Sequence, residues 1–446
     1  MRFCADTFIR HAGNESLLWN RRTSACAILT DARPFLDAVD FTDQSVKSII
    51  GKIAGHFDTT SETVENDARE FLAALLTDTF CEDFTDTAAS AAPAADNKKT
   101  EKNNTTEKDD SRTPLGDFFT AHHLASDLHV DLTSGCTERC IHCYIPDYTP
   151  HFFPLPLIKK VLTEFREANG LTVFFSGGEC MMHPDFAEIL RFAKKLNLNI
   201  VIQSNLTLCA GEKIDLMKEI DPQFVNVSLY SMDADVHDGI TRRAGSWEKT
   251  INAILALEQN GVHIRLACPI MKNNLDSVPD LKAFANAHRM HLILDCDIFG
   301  QTDHDCSNQS CALNAAELET ALTRYQNFFY TTLPDASAFP PEAKVCDIGT
   351  ARININARGE YYPCDGCHGI VLGNAETDSF ADVWNGEKMN ALRALKNKDF
   401  HECAECENRR WCKVCPTRNF NETGDMFRHA KNRCVAAAVK RKVMGE

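Results

Sequence analysis

The sequence predicts a central α/β domain built on a parallel sheet, with a small α+β unit before it and a cysteine-rich region after it. Three observations carry this. Strand-like and helix-like runs alternate from about residue 116 to 335. Residues 85–114 contain no large aliphatic or aromatic side chain. The chain has 20 cysteines, sparse before residue 136 and crowded after residue 340.

The first segment, 1–84, reads as three short strands, Thr7–His11, Ser16–Trp19 and Ser24–Leu29, with turn signals at Gly13-Asn14 and Asn20-Arg21-Arg22. Two helices follow. Val46, Ile49, Ile50, Ile53 and Phe57 fall on one face of the first. Val64, Ala68, Phe71, Leu72 and Leu75 fall on one face of the second, behind a capping box of Thr59 and Glu62. Residues 85–115 cannot bury enough apolar surface to offset ordering and read as a flexible linker.

The domain at 116–338 runs strand Asp127–Leu132, helix Leu157–Ala168, strand Leu171–Phe175, helix Phe186–Leu196 and strand Ile200–Gln203. Strand Val225–Leu229, helix Trp247–Gln259, strand His263–Pro269, Leu281–His288 and Leu292–Asp295 complete it. Ligands in such folds gather at the C-terminal strand ends. The region 339–446 has short strands (Ala351–Asn356, Glu360–Tyr362), a helix at Met389–Lys396 and another at the C-terminal end. Its core is thin for its length, so bound metal is the natural cross-link.

Hydrophobic and charged fractions of 44% and 25% are those of a water-soluble globular chain. No apolar run is long enough to span a bilayer, and the first residues lack the apolar core of a secretory signal, so a cytoplasmic protein without membrane association is expected. A formal net charge of -16 argues against a nucleic-acid partner. So many cysteines in a cytosolic chain of this size point to metal or cluster ligation rather than disulfides.

The sharpest motif is Cys136-Thr-Glu-Arg-Cys140-Ile-His-Cys143-Tyr144. Three thiolates in one loop can grip one cluster from one side, and three ligands leave one iron of a four-iron cube open. A zinc site would need a fourth ligand, for which His142 is the local option. This Cys-x3-Cys-x2-Cys loop after a first strand resembles the radical S-adenosylmethionine (radical SAM) superfamily. The resemblance implies a partial (β/α)6 TIM-like barrel and a [4Fe-4S] cluster whose open iron binds SAM. It also implies SAM cleavage to a 5′-deoxyadenosyl radical that abstracts hydrogen from a substrate, with a flavodoxin or ferredoxin as electron donor.

Ser176-Gly177-Gly178-Glu179, about 35 residues on, resembles the family element that holds the methionyl amine of SAM. The glycines would let backbone approach a ligand, and the carboxylate can accept from an ammonium group. Ser204-Asn205 and Ser228 resemble strand-end contacts to the ribose and carboxylate. Arg242, Arg243 and Lys249 are alternative partners for the SAM carboxylate.

The second motif is Cys346-x12-Gly359-x4-Cys364, then Cys403-x2-Cys406-x5-Cys412-x2-Cys415, then Cys434. It resembles the SPASM extension, which carries two auxiliary [4Fe-4S] clusters, except that two residues rather than three separate Cys412 from Cys415. By position, Cys403, Cys406, Cys412 and Cys434 would hold one cluster, and Cys346, Cys364 and Cys415 part of the other. Cys367, Cys306, Cys311 or no residue remains for its fourth place, and an open iron there would be free for a substrate thiolate. Cys-x2-Cys knuckles also suit zinc. Asp365, beside Cys364, matches an aspartate that serves as base in related protein-oxidising maturases, a role that burial would support by raising its pKa.

Finally, Phe8-Ile-Arg-His11, Leu18-Trp-Asn20, Ala25-Cys-Ala-Ile-Leu29 and Pro34-Phe-Leu36 resemble a winged-helix-like recognition element of ribosomal peptide biosynthesis. Such elements pair a leader peptide with a strand edge. The whole resembles a radical SAM/SPASM maturase acting on a precursor peptide, with thioether or carbon–carbon crosslinking as the expected chemistry. A sulfatase-maturase-like enzyme acting on a folded partner and a zinc-stabilised peptide-binding module are the alternatives.

Overall fold

The computed structural model describes residues 1–82, 114–325 and 340–444. Most of the expected linker at 85–115 lies outside these residues; its last two, Pro114 and Leu115, begin a helix, Pro114–Ala121. The chain forms two compact units, Met1–Leu124 and Ala125–Glu446.

In the first unit, strands β1 (Arg2–Phe3), β2 (Thr7–Ala12), β3 (Glu15–Asn20), β4 (Cys26–Thr30) and β5 (Cys81–Glu82) make two antiparallel sheets, ordered β2-β3-β4 and β1-β5. The β2–β3 hairpin closes over Gly13-Asn14, with Ala12 paired to Glu15. Gly13 sits at φ +59°, a value glycine takes without penalty, which is why this two-residue turn works here. Helices Val46–His56 and Ser61–Thr77 bury the expected Ile49, Ile50, Ile53, Ala68, Leu72 and Leu75 in one core. The expected capping box is not formed: Thr60 is the N-cap and makes no side-chain cap bond. A short helix, Arg33–Ala38, carries Pro34 in its first turn and is too brief to show in the sequence periodicity. The helix at 114–121 belongs to this unit, so packing sets its edge at Leu124 rather than at the expected 116.

Among the described residues, the second unit is organised by one sheet of nine strands. β6 (Asp127–Asp131), β7 (Thr172–Ser176), β8 (Asn199–Ser204), β9 (Phe224–Ser228), β10 (Ile264–Pro269) and β11 (His291–Asp295) pair in parallel, each with its successor. Helices between them make this a partial (β/α)6 barrel. The cysteine-rich region does not stand apart from it. Its β12 (Arg352–Ile355) pairs in parallel with β6, and β13 (Glu360–Tyr362) and β14 (Gly373–Asn374) continue antiparallel beyond.

Alternation along the strands divides this sheet into two faces. Leu128, Val130, Val173, Phe175, Ile200, Ile202, Val225, Val227 and Leu266 join the helices in the main apolar core. The intervening positions carry Asp127, His129, Asp131, Thr172, Ser176, Asn199, Gln203, Asn226 and Arg265, with Phe174, Val201, Phe224 and Ala267 among them. A parallel sheet buried in apolar contact on both faces would read as continuous apolar runs; this one keeps a polar face. Among the described residues no helix is long and apolar enough to cross a membrane.

Candidate active site

The loop that carries the first cysteines leaves β6 and is laid directly on the turn that leaves β7. Leu132 N–H donates to the Ser176 carbonyl at 2.9 Å, Gly178 N–H to Thr133 at 2.8 Å, and Glu179 N–H to Gly135 at 2.8 Å. A Cβ on Gly177 would stand 2.3 Å from the Thr133 carbonyl oxygen, and one on Gly178 would stand 2.2 Å from that of Gly135. The glycines therefore admit the cysteine loop itself, where the sequence suggested close approach to a ligand.

Glu179 is 1% exposed and its carboxylate is already engaged. It accepts from Met181 N–H at 3.0 Å, Asn205 N–H at 2.9 Å and the Ser204 hydroxyl at 2.8 and 3.0 Å. Burial raises its pKa, and these donors oppose the rise. Ser176 through Glu179, Ser204 and Asn205 are thus brought together as expected, around a knot of internal hydrogen bonds. Asn205 extends the knot to the first cysteine, its side-chain amide donating to Cys136 Sγ at 3.7 Å.

The three thiols each have a polar neighbour. Glu138 N–H donates to Cys136 Sγ at 3.4 Å, the Tyr230 hydroxyl lies 3.7 Å from Cys140 Sγ, and the Tyr148 hydroxyl bonds Cys143. Ser228 meets the Tyr230 hydroxyl, so it reaches the loop through that ring. Burial pushes the Cys136 thiol up to about 12 and raises those of Cys140 and Cys143. Cys143 adds to the rise at Cys136, and both add to it at Cys140, so the three sulfurs share one neighbourhood. Holding them as thiolates there calls for a cationic centre between them.

Among the described residues no three His, Cys, Asp or Glu side chains converge to hold a single ion. A four-iron cube keeps its thiolates at separate corners, so sulfurs gathered without converging suit it better than they suit tetrahedral zinc. His142 is kept neutral by burial, which pushes it down to about 4, and packs edge-on against Tyr230 at 5.0 Å.

Cys140 and Cys143 face a cavity of about 550 Å³ that also receives Arg139, Tyr148, Arg242, Lys272, Asn308 and Cys311. Of the three cations left open by the sequence, only Arg242 lines it; Arg243 and Lys249 do not. Glu179, Ser204, Asn205 and Ser228 do not line it either; the first three lie toward Cys136, and Ser228 lies by Tyr230. Glu138, inside the motif, escaped notice in the sequence: it is buried, one carboxylate oxygen has no hydrogen-bond partner, and burial pushes it up to about 8.

The later cysteines fall into two groups. Burial pushes Cys403 up to about 11, with Cys412, Cys434 and Cys406 adding to the rise; Cys412 and Cys406 act likewise on Cys434. Short turns hold this group, Cys406 N–H donating to Cys403 at 3.2 Å and Cys412 N–H to Arg409 at 3.2 Å. Cys346 and Cys364 are raised by burial and each also feels Cys415.

Asp365 behaves otherwise than expected. It accepts from Asn354 Nδ2 at 2.5 Å and Arg352 Nη1 at 3.2 Å, and lies 3.1 Å from His129 Nδ1. Burial would raise its pKa, but the His129 and Arg352 charges and the hydrogen bonds outweigh it and hold the carboxyl below the usual range. The neighbouring inner-face groups form one network. Tyr362 donates to Asp131 at 2.6 Å, Arg352 pairs with Asp127 at 3.6 Å, and His129 stacks on Phe174 at 4.2 Å. Burial pushes Asp127 up to about 6 and His129 down to about 4. Sequence reasoning missed His129, Arg352 and Asn354. The signal was present in Asp127-Leu-His129-Val-Asp131 and Arg352-Ile-Asn354-Ile, where polar and apolar residues alternate.

With this geometry in view, the comparisons with known proteins are specific. Residues 130–285 match the radical SAM superfamily, and residues 346–408 match the SPASM iron–sulfur cluster-binding domain. The chain is 24% identical over 331 residues to an AdoMet-dependent heme synthase of Nitratidesulfovibrio vulgaris, spanning 66% of this chain and 88% of that one. It is 26% identical over 322 residues to the antilisterial bacteriocin subtilosin biosynthesis protein AlbA of Bacillus subtilis, spanning 68% and 69%. The fold is similar to that of Streptococcus suis SuiB bound to its precursor peptide SuiA, with a TM-score of 0.60 at 13% identity, covering 96% of this chain and 98% of that one. A radical SAM domain binds a four-iron cluster and SAM, and a SPASM domain binds auxiliary iron–sulfur clusters. The chain is a radical SAM enzyme with a SPASM domain after its partial barrel.

Proposed function

We propose that this enzyme modifies a ribosomally made precursor peptide, forming a thioether or carbon–carbon crosslink. The observation that carries the proposal is the extent of the fold likeness to SuiB, which takes in both compact units. The relation to the heme synthase spans only 66% of the chain. The sequence relation to AlbA is of like extent, 68% of the chain, so it is the fold likeness that favours the peptide reading.

In this reading residues 1–84 capture the leader of the peptide. Among the described residues, β2 and β4 each pair with β3 alone, so the three-stranded sheet offers two outer edges for strand addition. Residues 125–338 carry the radical chemistry and 339–446 the auxiliary clusters. Cys136, Cys140 and Cys143 hold the SAM-binding cluster. Cys403, Cys406, Cys412 and Cys434 hold one auxiliary cluster, and Cys346, Cys364 and Cys415 contribute to the other. The chemistry supplied at the first site, with a flavodoxin or ferredoxin as electron donor, is a 5′-deoxyadenosyl radical able to take a hydrogen atom from the peptide.

The chain's own residues position that chemistry. Gly177, Gly178 and Glu179 fix the cysteine loop on the strand ends, and Asn205, Tyr148 and Tyr230 place polar hydrogens beside the sulfurs. Ser176, Ser204, Asn205 and Ser228 mark the SAM side of the loop, and Arg242 supplies a cation for the SAM carboxylate. Asp365 stays ionised and holds His129 and Arg352 in place on the polar face. It thus acts as a positioning residue, because a carboxyl held below its usual pKa is a weak base.

The test is co-expression with short peptides encoded beside this reading frame. A peptide that loses two hydrogen atoms in mass, with 5′-deoxyadenosine formed and both results dependent on residues 1–84, is expected. Heme formation in place of a modified peptide would overturn the proposal.

A further inference from the structure

We infer that Cys367 is the fourth thiolate of the auxiliary site formed by Cys346, Cys364 and Cys415, so that no iron there is open to a substrate thiol. This rests on the radical SAM/SPASM reading above. The sequence left Cys367, Cys306, Cys311 and an open corner as alternatives, and the structure separates them.

Cys367 is fully buried, at 0% exposure, and is linked to Cys364 by a turn in which its N–H donates to the Cys364 carbonyl at 3.0 Å. Gly366 makes that turn at φ +74°. The helix that begins directly after Cys415, Pro416–Thr423, holds the turn from the other side. Its buried Asn421 donates from Nδ2 to the Gly366 carbonyl at 2.8 Å. One turn nearer Cys415, the buried Thr417 hydroxyl bonds both Cys364 and Cys367. One hydroxyl serving two sulfurs places them side by side. Cys367 and Cys364 each feel Cys415, and so does Cys346. Cys415 is thus the shared neighbour of Cys346, Cys364 and Cys367, and Cys364 and Cys367 also neighbour each other.

The other candidates have no cysteine of this group among their charged neighbours. Cys306 lies under Gly300, its Sγ 3.2 Å from where a Gly300 Cβ would stand, and its charged neighbours are Glu422, Asp305 and Asp303. Cys311 bonds the Asn308 carbonyl at 3.0 Å and lines the cavity of Cys140 and Cys143. A buried thiol with no role would be expected to sit among apolar side chains as a small hydrophobe, not beside a hydroxyl shared with a second sulfur. Four thiolates complete a four-iron cube, whereas three leave a corner for an added ligand.

The test starts from the Cys136/Cys140/Cys143→Ala protein, reconstituted anaerobically with iron and sulfide so that only auxiliary sites remain. We expect about 8 iron per chain, four for each cluster. Its reduced EPR spectrum should not respond to added 2-mercaptoethanol or imidazole. Adding Cys367→Ala should either make one of the two signals shift with those ligands or remove one iron from that cluster. Cys367→Ser should shift the same signal while keeping the iron. Cys306→Ala and Cys311→Ala should leave the spectrum unchanged. A starting protein that already responds to added thiol, or a Cys367→Ala protein with unaltered iron and spectrum, overturns the inference and leaves the SPASM reading standing. A starting protein that takes up zinc and little iron overturns both.

Discussion

The two cysteine regions of the second unit are built in opposite ways. The loop 136–143 is fixed by the protein: three backbone hydrogen bonds tie Leu132, Thr133 and Gly135, just ahead of it, to the β7 turn, the Arg139 and Ile141 N–H groups donate to the Thr241 and Ile240 carbonyls, and the fully engaged Glu179 ties the β7 turn to β8. The cysteines at 403–434 have far less behind them. An apolar cluster of Val345, Phe400 and Val414 packs against Cys403, and the chain from Cys403 to Cys415 is a succession of short turns that ends at the helix Pro416–Thr423. The first arrangement is a site made ready for a cluster; the second is a fold that needs its clusters as struts. The lesson is that one ligand type serves chemistry in one place and stability in the other.

The sharpest way to break this comparison is to remove sulfurs from each region. Cys403→Ala with Cys412→Ala should cost the C-terminal region most of its cooperative unfolding, on the order of 10 kcal/mol if iron contributes there as structural zinc does in small domains. Differential scanning calorimetry with iron counting checks this. The Cys136/Cys140/Cys143→Ala protein should melt within a few degrees of the parent while forming no 5′-deoxyadenosine. Equal destabilisation by both would erase the distinction.

Gly178→Ala comes next. Its Cβ would meet backbone, not a movable side chain, so the cysteine loop must shift. A stability loss of about 1–3 kcal/mol is expected, as for an overpacked core, together with loss of the SAM-cluster iron. Glu179→Gln should follow at about 1–3 kcal/mol, because an amide cannot accept all the donors that now converge on the carboxylate. Chemical denaturation of both proteins measures these.

Asp365→Asn should have the smallest effect on stability. The folded carboxyl lies below its unfolded value, so the ionised form contributes stability above the unfolded pKa, near 4, and that contribution is lost as pH falls through the folded pKa. The side chain is 46% exposed, and water screening limits the contribution to under about 1 kcal/mol. The variant should be less stable than the parent at neutral pH and should converge with it as pH falls through the folded pKa of Asp365. Denaturation midpoints across that range test the sign.

Much of this was legible in the sequence because the signals were local. The Cys-x3-Cys-x2-Cys spacing, the six strands of the barrel and the apolar faces of the two N-terminal helices each lie within a few residues. What escaped depended on distant contacts. Nothing near Arg352–Ile355 announces that β12 will pair with β6, more than two hundred residues earlier, and merge the cysteine-rich region into the barrel sheet. Helices Glu212–Ile220 and Ala234–Thr241 went unread because they are short and each buries only three residues. Asp365 was read as a base from its neighbour Cys364, but its pKa is set by His129 and Arg352, which come from other strands.

The central claim is that Cys136, Cys140 and Cys143 hold a cluster with one corner reserved for SAM. EPR of the reduced, reconstituted enzyme with and without SAM tests it most directly. The account predicts about 12 iron per chain, a spectrum that changes when SAM is added, and loss of about 4 iron and of that change together in the triple alanine protein. A spectrum indifferent to SAM, or the same iron content in both proteins, would contradict it.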